Sequence, residues 1–334
     1  MSLLLLESFD DGLYAQRATS SWGVDEIGGR TGSTARRLYD QNRGMYWSFT
    51  PRATVIVGFA INNRNNQDQR DILRLYGDNK TVFHVGIDIM PTGAIQITRG
   101  GGAVIAETDV EAVKLNEWHY VELFCTVDDV NGVLKLRVDG KMPAGWADQI
   151  GVDTRNGGTS ATVDTVQLIG YREWWLDDVY IADDQGTVNN DLLGDTRVYT
   201  LLPNGDGGYS QLLGSDGDSL ANYALVDENP PNTADYVGSA TDGAKDTYQF
   251  SDLGLTSGIV RGVMASAYAA KTDTQPKSGR LLVKRGATDV FGTDQTLATS
   301  PSVLDEVWDQ DPISGGAWTI ANVNVTEFGF EVRP

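Results

Sequence analysis

A single cysteine, Cys125, serves all 334 residues. One thiol can form neither an internal disulfide nor a cysteine-based zinc site. In VELFCTV it shares a face with Val121, Leu123 and Val127, the pattern of a small buried apolar side chain rather than a reactive thiol. Histidine is nearly as scarce, with only His84 and His119. Neither has a second histidine at metal-ligand spacing or a nucleophile to activate, and no Gly-x-Ser-x-Gly elbow occurs. Both read as exposed or hydrogen-bonded structural residues, His84 on the polar face of its strand. Lysine and arginine total 26 against 46 acids, a net charge of −20 with no basic block. That excludes a nucleic-acid partner and electrostatic docking to anionic lipid. The acids are spread through turns, where they serve solubility. Long apolar runs are missing too. The opening MSLLLLESFDD has four leucines but no basic flank, and it is too short for a signal peptide or a membrane span. It reads as a first strand, and the chain as leaderless, made in a reducing cytosol and without a membrane partner. There is no long amphipathic helix, no 20–50-residue repeat and no low-complexity tract.

What remains is β-structure. In 53–61 (ATVIVGFAI) Val55, Val57, Phe59 and Ile61 share a face, and in 80–89 Phe83, Val85, Ile87 and Ile89 do. Residues 94–98 alternate, 118–127 are longer and more apolar, and 133–138 (VLKLRV) set Leu134, Leu136 and Val138 against Lys135 and Arg137. Such two-faced strands belong to antiparallel sheets with one face on a core. Residues 162–182 read as two strands, about Thr162–Ile169 and Trp174–Ala182, the second closing a first domain over 1–186. Residues 187–334 read as a second, smaller β-sandwich, opening in a strand over 197–202. Residues 203–223 and 226–248 read mostly as loop. Residues 258–271 (GIVRGVMASAYAAK) suit either helix or strand, and their alternation and glycines favour a long buried strand. Short strands are expected at 280–285, 288–291, 295–299 and 303–308. Residues 318–320 and 322–333 close the domain, with a bulge near Thr326 and Glu327. The fold class is all-β, two sandwiches in series.

The opening LLLESFDDG, NEWHYVEL, LKLRVDGK and WWLDDVYIAD together resemble the concanavalin A-like lectin/glucanase jelly roll, in the laminin-G-like form of tailed-bacteriophage virion proteins. GDTRVYTLLPNGDG, VDENPPNTADYV, VRGVMASAYAAKTDT and WTIANVNVTEFGFEV resemble the β module that commonly comes after it. The resemblance implies a non-enzymatic virion structural protein: a head decoration or cement protein, or a tail or fibre component. Its partners would be the major capsid protein or tail proteins, in a homo-oligomer assembled in the host bacterial cytoplasm. A carbohydrate-binding attachment protein recognising a host surface glycan is the alternative, and a glycan depolymerase a further one. Motifs this degenerate speak to fold before activity.

Asp177 and Asp178 are the carboxylates to weigh for glycoside hydrolysis, which needs two acids flanking a cleft. Neighbours on a strand point to opposite faces, and the alternating Glu-x-Asp-x-x-Glu series of jelly-roll glucanases is absent. One is therefore expected to cap backbone donors and the other to face solvent, leaving no catalytic residue assigned. Sugar stacking calls for exposed rings: Trp22, Trp47, Trp146, Trp174 and Trp175 are the candidates, with one ring of the WW pair on each side of its sheet. Asp206, Asp216 and Asp218 lie in Gly-rich loops that a structural Ca2+ could use, the only cofactor considered. Asp, Asn and Gly are also the ordinary residues of turns.

Overall fold

The computed structural model describes residues 2–18, 24–38, 44–64, 70–170 and 174–334. They form two compact units, one of Met1–Asp10 with Arg17–Val198 and one of Asp11–Gln16 with Tyr199–Pro334. Both are built almost wholly of antiparallel β-sheet. No helix among the described residues is long and apolar enough to cross a membrane.

The first unit contains strands β1 (Leu3–Glu7), β2 (Val24–Ile27), β3 (Thr34–Leu38), β4 (Gly44–Arg52), β5 (Thr54–Asn63), β6 (Arg70–Gly77), β7 (Val82–Ile89), β8 (Ile95–Arg99), β9 (Ala103–Glu107), β10 (Trp118–Thr126), β11 (Gly132–Val138), β12 (Gln149–Val152), β13 (Val163–Ile169) and β14 (Trp174–Ala182). The larger sheet runs β12-β11-β10-β5-β14-β3-β2, with β1 also on β14. The smaller runs β4-β13-β6-β7-β8-β9. Central strand β5 is buried along its whole length. Its pairing with β10 brings Val55, Val57 and Phe59 beside Cys125, Leu123 and Val121. That wholly apolar face is the interior of a sandwich. Strand β11 shows the expected alternation, with Leu134, Leu136 and Val138 buried and Lys135 and Arg137 half-buried. Strand β7 differs from expectation. His84 and Asp88 on its supposed solvent side are buried, and His84 Nδ1 accepts the Asn156 amide at 3.2 Å. Burial holds the His84 imidazole below its usual pKa. Strands β4, β6 and β9 were not read from the sequence, because Arg and Asp within 70–77 and Pro51 in β4 blur the alternation.

The second unit holds a sheet ordered β15 (Pro203–Ser210), β18 (Lys245–Phe250), β24 (Glu327–Arg333), β20 (Ser278–Arg285), β21 (Thr288–Phe291), with β22 (Gln295–Thr296) on β20. Two ribbons accompany it, β16 (Leu213–Gly214) with β17 (Val237–Gly238), and β19 (Val263–Ala269) with β23 (Ser302–Trp308). A core of Leu281, Val283, Trp308, Trp318, Val323 and Phe328 lies under the sheet. The buried strand expected over 258–271 is shorter and only half-buried, because β23 is its sole partner among the described residues. The segment taken as strand before Thr326 begins as helix α1 (Ile320–Asn324), whose N-cap Thr319 hydroxyl accepts the Asn322 amide at 3.0 Å. Thr at an N-cap outweighs an alternation of only two valines. Residues 197–202 are not a strand. The chain pairs instead at Pro203–Ser210, where Gly207 lies so close to Thr247 that a side chain would collide with it.

Candidate functional site

The two faces of the larger sheet differ in chemistry. Directly opposed residues of antiparallel strands share a face. Opposite the apolar face, three rows therefore cross β10, β5 and β14: Trp118, Asn62 and Trp175; Tyr120, Ala60 and Asp177; Glu122, Gly58 and Tyr180. Gly58 fills the third row because the Tyr180 ring lies across it, where any Cβ would collide.

Rows two and three lie beneath a strap, residues 191–198. Glu122 Oε1 accepts the Leu193 amide at 2.8 Å, the Gly194 amide at 2.9 Å and the Tyr180 hydroxyl at 2.7 Å. The Thr196 hydroxyl donates to Tyr120 Oη at 2.6 Å, and the Val198 amide to Asp178 Oδ1 at 2.9 Å. Arg30 pairs with Asp195, donates to the Thr196 carbonyl at 3.0 Å and lies 3.5 Å from Asp178. Residues 187–198, read from the sequence as the start of a second domain, are thus grouped with the first unit.

Asp177 and Asp178 contradict the expectation of opposite faces. A bulge between Asp177 and Tyr180 leaves Asp178 at φ +51°, and both side chains are buried. Asp177 accepts the Arg30 amide at 2.8 Å, the Ser33 hydroxyl at 3.0 Å and the Asp178 amide at 2.8 Å. Neither faces solvent, and both cap backbone donors. Burial, with the charge of Asp178, pushes the Asp177 carboxyl up to about 7, and burial also raises Asp178 and Glu122.

Row one is different. Trp118 and Trp175 are half-buried. Between them Asn62 is only 4% exposed, and its Oδ1 has no hydrogen-bond partner among the described residues. Two strands apart, the backbones that carry them are separated by roughly 10 Å. Arg64 Cζ sits 3.6 Å from the Trp175 ring centroid, and Arg37 is opposite Trp175 on β3. Row one is thus an aromatic platform of two half-buried indoles with a buried acceptor between them.

Of the other rings proposed for sugar, Trp47, Trp146 and Trp174 are 3%, 6% and 1% exposed and cannot stack on a ligand. Trp47 and Trp174 point into strand packing, and Trp146 anchors its loop by donating to Asp148 at 3.1 Å. Trp22 lies outside the described residues. Trp175 keeps its place, and the WW pair does divide between the two sides. Trp118 and Asn62 were missed because only the β10-β5-β14 pairing, which joins distant parts of the chain, brings them together.

The cation loops are also corrected. Among the described residues, no three His, Cys, Asp or Glu side chains are placed to hold a metal. Asp206 accepts the Tyr223 amide at 3.1 Å, Asp216 the Asp218 amide at 3.3 Å and Asp218 the Leu220 amide at 2.8 Å, which is turn chemistry. A separate open groove of about 280 Å³ is bordered by His119, Lys114, Lys141, Asp109 and Glu111. His119 Nδ1 lies 2.8 Å from Asp139, and the mixed charges of this groove select no ligand class. Cys125 is buried, its thiol pushed up to about 12.

No family model matches the sequence, and no curated protein matches it. Solved structures align with parts of the chain. A Trypanosoma rangeli sialidase aligns over 47% of this chain and 26% of its own at 14% identity and TM-score 0.33. The alginate lyase Aly36B aligns over 54% and 96% at 8% identity and TM-score 0.36. Domain 4 of AbnA, a GH43 extracellular arabinanase from Geobacillus stearothermophilus, aligns over 54% and 92% at 12% identity and TM-score 0.36. The chain spans about a quarter of the sialidase's length. These proteins are a sialidase, an alginate lyase and a domain of an arabinanase. The expectation of a non-enzymatic virion component, which rested on motif resemblance alone, is corrected by these neighbours, which are enzymes; at these identities and TM-scores the likeness gives this chain neither a fold nor an activity.

Proposed function

We propose that the first unit engages carbohydrate on the Trp118–Asn62–Trp175 platform. The observation that carries this reading is the composition of row one. Two half-buried indoles flank a buried amide oxygen that no described protein group satisfies. A buried acceptor left without a partner costs about 1–3 kcal/mol, so its retention suits a ligand that donates to it. A sugar offers both requirements, an apolar C–H face for a ring and hydroxyl donors for the amide oxygen. The test is binding of the whole chain to a panel of plant, algal and bacterial polysaccharides, monitored by tryptophan fluorescence. Trp118→Ala is expected to weaken binding at least tenfold, about 1.4 kcal/mol. Equal binding by wild type and variant would rule the platform out.

A second reading, glycan cleavage, is favoured by one observation. Asp177, held up to about 7, occupies the row next to the platform, where a protonated carboxyl could donate to a leaving oxygen. It needs the 29–33 turn displaced, since Asp177 is 1% exposed and its Oδ2 accepts the Arg30 amide and the Ser33 hydroxyl. Release of reducing ends that Asp177→Asn abolishes while binding persists would support cleavage; binding without product would leave recognition alone.

A further inference from the structure

Arg64, like Lys80 over Tyr46, rests on an aromatic ring without an ion pair among the described residues. In a chain with 46 acids, lysines 135, 245, 277 and 284 and most described arginines are in ion pairs. Arg64 is exposed and stacked on Trp175, with no carboxylate partner among the described residues. The stacking fixes the guanidinium beside the platform but uses none of its N–H groups. A planar fork of donors is thus held at one side of row one, with the unpartnered Asn62 Oδ1 at its centre and the Trp118 ring at the far side.

Building on the platform reading, we infer that the ligand is a sugar acid, its carboxylate taken bidentately by Arg64, a hydroxyl by Asn62 Oδ1 and its ring face by Trp118. A neutral sugar satisfies Asn62 and Trp118 and leaves Arg64 without an acceptor. A carboxylate matches the guanidinium fork in geometry and charge. Because Arg64 is anchored by Trp175, no described acid neutralises its charge inside the site.

The experiment is calorimetric titration of the full chain with oligogalacturonate and with the same oligomer after its carboxylates are reduced to alcohols. Wild type is expected to bind the acidic oligomer at least tenfold more tightly than the reduced one. Arg64→Ala should collapse that preference, and Arg64→Lys should restore only part of it, since an ammonium cannot make the paired contact. An undiminished preference in Arg64→Ala, or equal wild-type affinity for both oligomers, overturns the inference. If the reduced oligomer binds and Trp118→Ala removes that binding, the platform reading survives such a failure. If wild type binds neither oligomer nor any other glycan, both fall.

Discussion

Gly58 sets the depth of the polar face. The Tyr180 ring crosses it, and through its hydroxyl fixes Glu122, which in turn holds two strap amides. Gly58→Ala is expected to cost about 1–3 kcal/mol by overpacking, read as a lower urea midpoint at unchanged slope. An unchanged midpoint would mean that the ring has room to shift. Glu122 makes a complementary case. Its Oε1 accepts three donors while Oε2 is buried without a partner among the described residues, and burial raises its pKa. A neutral amide meets no such penalty. Glu122→Gln should therefore stabilise the protein at pH 8 and make little difference near pH 4. Stabilisation of the same size at both values would show that ionisation of this group is not what matters.

Among the elements, the strap at 191–198 is irregular in conformation yet held like a strand. The Leu193, Gly194 and Val198 amides each donate to a buried carboxylate. Charge-assisted bonds of this kind are among the stronger ones. Native-state hydrogen exchange should find these three amides protected to nearly the level of β14, and exchange at exposed-turn rates would contradict the arrangement. The strap also shows where sequence reading stops. Strand β14 was legible as strand, and so was the division of its WW pair. The bulge at Asp178 was not, since one residue at positive φ reverses the facing of the residues after it without marking the composition. The acidic, Gly-punctuated 183–196 looked like a linker because Asp and Gly mark turns whether or not the segment is docked. Trp118 and Asn62 lie 56 positions apart, and nothing local announces that they are neighbours. Alternation, by contrast, exposed β5, β10 and β11 directly, because each packs a continuous apolar face.

For the whole molecule, the sign of the buried carboxyls predicts an unusual pH response. Asp177 titrates at about 7 in the fold against an ordinary value near 4, and Asp178 and Glu122 shift in the same direction. A raised carboxyl contributes stability that is fully present below its unfolded value and lost as pH climbs through its folded value. Asp148 and Asp311 shift downward beside Arg137 and Arg285, and their contribution disappears as acid is added below about 4. Stability should peak near pH 4 and decline toward pH 7. A melting temperature that rises steadily from pH 4 to pH 7 would contradict the assignment. The net charge of −20 adds a second consequence. A sugar acid is repelled at long range, so its binding should strengthen between about 10 and 150 mM salt as the field is screened. The measurement that bears most directly on the platform is a crystal structure of the full chain soaked with a uronic-acid oligomer. The expected result is a sugar ring over Trp118, a hydroxyl on Asn62 Oδ1 and a carboxylate on Arg64. A sugar bound instead in the groove beside His119, with row one empty, would contradict the platform.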